Sequence, residues 1–116
     1  MKVGRERFLI KVKVAVGKYF GMEPEDGFIE LREPGSEDFH TLQAASKEGT
    51  KAMMDAFGKV SSSLIVSHNF EHEDGGALTA EEVAEILRDR PVLALEVIEK
   101  FTEKVLFTQG KKSAGR

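Results

Sequence analysis

The 116-residue chain contains no cysteine and no tryptophan, only three prolines and a single tyrosine. Without cysteine there is neither a disulfide framework nor a thiolate metal site, which agrees with a reducing cytoplasm. No apolar run approaches the roughly 20 residues needed to cross a bilayer. Phe8-Leu9-Ile10 follows a charged start, but Lys11 and Lys13 interrupt before a signal-peptide core can form. The chain therefore reads as a cytoplasmic protein with no targeting segment and no membrane contact. An excess of positive charge is also lacking. A net charge of −3 supplies no general attraction to nucleic acid. Bases gather between Lys2 and Lys18 and again at Lys111, Lys112 and Arg116, but no recognition motif accompanies them, so no nucleic-acid partner is expected.

What is present suits one folded unit. Apolar residues at 41% are too many for a wholly disordered chain, and charged residues at 32% solvate a surface. The length fits one globular domain, placed at residues 1–109, with residues 110–116 a flexible basic tail.

The pattern along the chain predicts an α+β fold, with two short N-terminal strands followed by about four packed helices. Phe8, Ile10, Val12, Val14 and Val16 alternate with Leu9, Lys11, Lys13 and Ala15, the period of a half-buried strand. Phe8, Leu9, Val12, Val16, Tyr19 and Phe20 also share a helical face, with Gly21 as a stop, so a helix over 8–20 competes with the strand. Phe28–Glu33 alternates again and ends at Pro34-Gly35; the two strands can pair antiparallel. Ser36 is the expected N-cap of a helix with Glu37 and Asp38 in its first turn, broken at Gly49. From Thr50, the residues Met53, Met54, Phe57, Val60, Leu64 and Ile65 recur at helical spacing. Ser67–Ala77 reads as a polar loop. Thr79 and Glu82 form a capping box for the next helix, and Pro91 opens a closing helix that runs to about Phe107.

Two constellations test for chemistry. Around Phe70–Glu82, a calcium loop centred on Gly76 matches at Leu78 and Glu82 but fails at Glu71, Glu73 and Gly75. His68 and His72, with Asp74 beside them, are the alternative reading: a metal-binding protein or enzyme, if His40 and a carboxylate converge on the pair. Against it, Asn69, Asp74, Gly75 and Gly76 are loop formers. No serine elbow, Walker or dinucleotide pattern occurs, and no carboxylate sits in an apolar setting that would tune it for acid–base work. The expectation is no enzyme activity, no cofactor and no metal. The closing helix is apolar on more than one side, which means either a partner surface or a central position in the bundle.

Over about residues 28–107 the order of parts resembles the small tail assembly chaperones of long-tailed phages and prophages. The resemblance rests on Phe28-Ile29-Glu30-Leu31-Arg32-Glu33-Pro34 leading into a helix, and on the long helix ending Leu64-Ile65-Val66. It continues through the Asp74-Gly75-Gly76 turn before Leu78-Thr79-Ala80-Glu81-Glu82-Val83 and the closing Pro91-Val92-Leu93-Ala94-Leu95-Glu96-Val97-Ile98. It is a likeness of layout, and Met1–Phe20 falls outside it. It implies a non-enzymatic protein of the host-cell cytoplasm that coats a tape-measure protein before the tail tube polymerises. In that family a frameshift often extends some copies at the C-terminus. The client surface is expected on the closing helix at Phe101, Val105, Leu106 and Phe107, and a homo-oligomer is a further partner expectation. A generic oligomerising adaptor, unrelated to phage, is the remaining reading.

Overall fold

In the computed structural model residues 9–105 are described; Phe8, Leu106, Phe107 and the 110–116 tail lie outside them. Strand β1 (Lys11–Ala15) and strand β2 (Phe28–Arg32) pair antiparallel, Val12 opposite Leu31 and Val14 opposite Ile29. The period of two decides the contest over residues 8–20. Val12, Val14 and Val16 are buried while Lys11, Lys13 and Ala15 are exposed. A helix would have turned Val14 away from the face shared by Val12 and Val16; the strand buries all three together. The link between the strands holds two short 3-10 turns, Gly17–Phe20 and Pro24–Asp26.

The fold is α+β and mostly helical, as the pattern implies. Helix α1 (Ser36–Glu48) is followed by α2 (Thr50–Leu64), α3 (Ala80–Asp89) and α4 (Pro91–Lys104). The N-cap falls on Gly35 rather than Ser36. Gly35 is extended and its carbonyl accepts from Phe39 N–H at 2.8 Å, so Ser36 is already helical and its side chain makes no cap bond. Gly49 separates α1 from α2 with φ 121° and ψ −179°, a region that costs any residue with a Cβ.

One strand is additional to the expectation. Ile65–His68, read as the end of a helix and the start of a loop, forms β3 and pairs antiparallel with β2. The sheet order is β1-β2-β3. Between Glu30 and Leu31 the register slips, leaving Val66 out of the ladder.

The inner face of the sheet contributes Val12, Val14, Ile29, Leu31 and Ile65 to a single core with Phe57, Leu64, Leu87, Leu93, Val97 and Phe101 from the helices. Helix α4 lies against β1 on one side and against α2 and α3 on others. That central position explains why it is apolar nearly all round. The outer face of the sheet is polar: Ser67 Oγ donates to Glu30 Oε1 at 2.9 Å, and the Lys13 ammonium stands 4.3 Å over the Phe28 ring.

Candidate functional site

Two regions carry the side chains that chemistry or binding would use: the loop ahead of α3, and a groove where α2, α3 and α4 meet.

Residues 70–78 double back as a small hairpin. Leu78 N–H donates to the Phe70 carbonyl at 3.0 Å, His72 N–H to Gly76 at 2.7 Å, and Gly75 N–H to His72 at 2.9 Å. Asp74 Oδ1 is taken by Gly76 N–H at 3.0 Å. His68 Nδ1 accepts from Phe70 N–H at 3.0 Å, which leaves its proton on Nε2. His72 turns the other way, its Nε2 3.3 Å from Glu82 Oε2. The two imidazoles and Asp74 thus each serve the local backbone or α3. His40 sits on α1 with its ring against Phe39. Among the described residues no three His, Asp or Glu side chains gather in a way that would hold a metal ion, so the metal reading lacks the third ligand it required. The calcium reading loses its bidentate ligand for a related reason: Glu82 Oε1 accepts from Thr79 N–H at 2.8 Å while Oε2 faces His72.

The capping box itself is formed as expected, with Glu82 N–H donating to Thr79 Oγ1 at 3.1 Å. The Thr79 backbone N–H, and secondarily His72, hold the Glu82 carboxyl below its usual pKa. A lowered folded-state pKa stabilises the fold above the unfolded value and is lost as pH falls through the folded one. Glu82→Gln keeps the capping geometry without the titrating charge. Urea midpoints measured from about pH 6 to about pH 3 should therefore fall less steeply for Glu82→Gln than for the wild type. Identical pH profiles would show that the carboxylate charge contributes nothing.

The groove has a volume of about 610 Å³ and is lined by Met54, Phe57, Gly58, Leu87 and Ala94, with Asp55, Lys59, Glu81 and Arg88 among its polar residues. Arg88 lies across α2: its Nη1 donates to the Gly58 carbonyl at 2.9 Å and its Nη2 stands 3.4 Å from Glu81 Oε1. Glycine at position 58 permits this approach; a Cβ there would meet Arg88 Cγ at 3.2 Å.

Of the four residues expected at the client surface, the two that are described are buried. Phe101 is fully buried against Phe57, ring centroids 5.7 Å apart, and Val105 is 3% exposed. Both side chains serve the core of this chain and offer nothing to a partner. Leu106 and Phe107 lie outside the described residues. The apolar side chains that α4 does expose are at its other end: Val92 at 69% and Leu95 at 42%. Sequence reasoning did not single these out, nor Gly58 and Arg88 of the groove, and it gave Met54 to the core stripe of its helix. The available signal was the small-residue run Gly58, Ser61, Ser62 inside an otherwise good helix, which marks a place of close approach.

No helix among the described residues is long and apolar enough to cross a membrane. No protein-family model, curated protein or solved structure matches the chain.

Proposed function

We propose that this protein is a non-enzymatic binding module that covers helical segments of a tape-measure-like client in the host cytoplasm before tail-tube assembly. The observation that supports it is the groove between α2, α3 and α4. Its accessible apolar wall is the half-buried Met54, with Phe57 and Leu87 as a buried floor, and it is flanked by charges of both signs, Asp55, Lys59, Glu81 and Arg88. That arrangement suits an amphipathic helix laid in with its apolar face down. A long client offers many such helices, and repeated weak contacts along it add up.

Co-expression with a candidate client, a long helix-rich protein of the tape-measure kind, tests the reading. Wild-type protein should hold that client in the soluble fraction and co-purify with it. Met54 is half-buried at the groove, and Met54→Glu should weaken the association by roughly tenfold or more while the thermal midpoint stays near wild type. A client that stays insoluble beside the wild type, or a Met54→Glu variant that binds normally, would remove the basis for the proposal.

A further inference from the structure

The sheet has two edges, and they differ. At the β3 edge the register slips beside Val66, and His68 Nδ1 is bonded to the turn that follows. A bulge of this kind twists an edge away from pairing. At the β1 edge the ladder is regular. Glu33 N–H donates to the Ile10 carbonyl at 2.7 Å and Val16 N–H to the Gly27 carbonyl at 2.8 Å. Hydrogen-bonded pairs alternate along an antiparallel ladder. Ile10, Val12, Val14 and Val16 therefore bond inward to β2, and the backbone N–H and C=O groups of Lys11, Lys13 and Ala15 point to the open edge. Among the described residues these groups have no hydrogen-bond partner.

Beside that edge is a cleft of about 250 Å³, lined by Lys13, Ala15 and Lys18 on one side and by Glu96 and Lys100 of α4 on the other. Glu96 already accepts from the Tyr19 hydroxyl at 3.3 Å, which leaves Lys18 and Lys100 beside the space, while the Lys13 ammonium lies over the Phe28 ring on the outer face. On the outer face Lys11 stands directly opposite Arg32, whereas Lys13 stands opposite Glu30, so the unoffset positive charge lies at the Lys11 end. Like charges opposed across strands cost stability unless an anion offsets them.

We infer that the β1 edge is a strand-addition site for an acidic, extended peptide segment. The incoming strand bonds to the free backbone groups of Lys11, Lys13 and Ala15. Its alternate carboxylates stand opposite Lys11 and Lys13 on the outer face, and its intervening residues enter the cleft against α4. Charge selects the occupant. A second copy of β1 would set Lys11 and Lys13 against the same lysines. Residues 1–8 carry Lys2, Arg5 and Arg7 against Glu6 alone, so they too are mismatched. The exposed Glu23, Glu25 and Asp26 lie toward the Ala15 end, so the segment's acids belong at the Lys11 end. This site is separate from the groove and stands without it.

A synthetic peptide alternating glutamate with valine is the probe, with a lysine-for-glutamate version as control, each titrated into the isotope-labelled full chain by NMR. The expected result is slowed amide exchange at Lys11, Lys13 and Ala15, and affinity that falls at least about threefold when salt rises from about 50 to about 500 mM. Lys13→Glu should weaken binding at least about fivefold. Ala15→Pro removes an N–H that faces the open edge, where proline is tolerated, and should abolish binding in a chain that still folds. If Ala15→Pro does not fold, Lys13→Glu carries the test alone. Equal binding of the lysine peptide, shifts confined to other residues, or concentration-dependent pairing of β1 with a second copy would each overturn the inference.

Discussion

Phe101→Asp is expected to leave the chain without a cooperative unfolding transition. The Phe101 side chain is fully buried, with the Phe57 ring 5.7 Å away at 60°. Removing such a ring costs about 3–5 kcal/mol through lost transfer energy and the cavity left behind. A carboxylate put in its place adds the burial of an unpaired charge, or the shift needed to neutralise it, at several kcal/mol more. Against a total stability of about 5–15 kcal/mol for a domain, little or nothing remains. Circular dichroism and urea titration of Phe101→Asp should show a largely unfolded protein at about 25 °C. Leu95→Asp is the control on the same helix. Leu95 is 42% exposed, and a substitution there should stay within about 0.5 kcal/mol of wild type. A folded Phe101→Asp that fails only in client binding would return the binding surface to the end of α4 and contradict the core placement.

The contrast between these two residues shows where sequence reasoning stops. Leu93, Val97 and Phe101 on one flank of α4 and Leu95 on another are equally apolar, so periodicity alone cannot separate a central helix from one with a spare face. The separation comes from tertiary context: β1 covers one side of α4, and α2 and α3 cover others. The N-terminal strand was legible because alternation carries its own test. Val12 and Val14 go in and Lys11 and Lys13 go out, and only a strand produces that division. The Thr79–Glu82 box was legible for a similar reason, since both partners lie within one turn and the bonds are local. β3 was not. Ile65 continues the helical spacing of Leu64, and what turns Ile65–His68 into a strand is β2, more than thirty residues upstream. Such a pairing leaves no mark in a short window.

The loop at 68–76 gives the same lesson in chemistry. A spacing of four between His68 and His72 brings both imidazoles within reach of one ion only if the segment is helical. The Asp74-Gly75 turn makes it a hairpin instead, and the side chains diverge, one toward its own backbone and one toward Glu82. The groove was invisible for the opposite reason. Its wall is assembled from three helices, and Arg88 reaches Gly58 across thirty residues. The β1 edge falls between these cases. The lysines of the strand are plain in the sequence, but that their backbone groups are the unpaired ones follows only from the ladder phase fixed by Ile10–Glu33 and Val16–Gly27.

Gly17→Ala is the second substitution with a large expected effect, and here the sign has to be argued. Replacing glycine by alanine ordinarily stabilises a protein by about 0.4–1 kcal/mol, because the unfolded chain loses freedom. At Gly17 the opposite should hold. The residue is buried at the start of the first 3-10 turn, and its carbonyl accepts from Met22 N–H at 3.0 Å. A methyl group there would run into the Glu23 carbonyl oxygen and come within 3.0 Å of the Pro24 oxygen. Both obstacles are main chain, and Pro24 has little freedom to move. The 17–27 link would have to open, and with it the Val16–Gly27 bond that closes the β1–β2 ladder. Overpacking of this kind costs about 3 kcal/mol, enough to lower the thermal midpoint by about 10 °C or more in a domain of this size. Gly35→Ala supplies the comparison. Gly35 has φ −71° and open space where a Cβ would stand, so that variant should stay within about 1 kcal/mol of wild type, the poorer N-cap that alanine makes set against the freedom lost in the unfolded chain. Matching midpoints for the two variants would mean that the main chain does not approach Gly17 as closely as the fold requires. A loss confined to Gly17→Ala would tie the β1–β2 register, and with it the open edge of β1, to that single missing side chain.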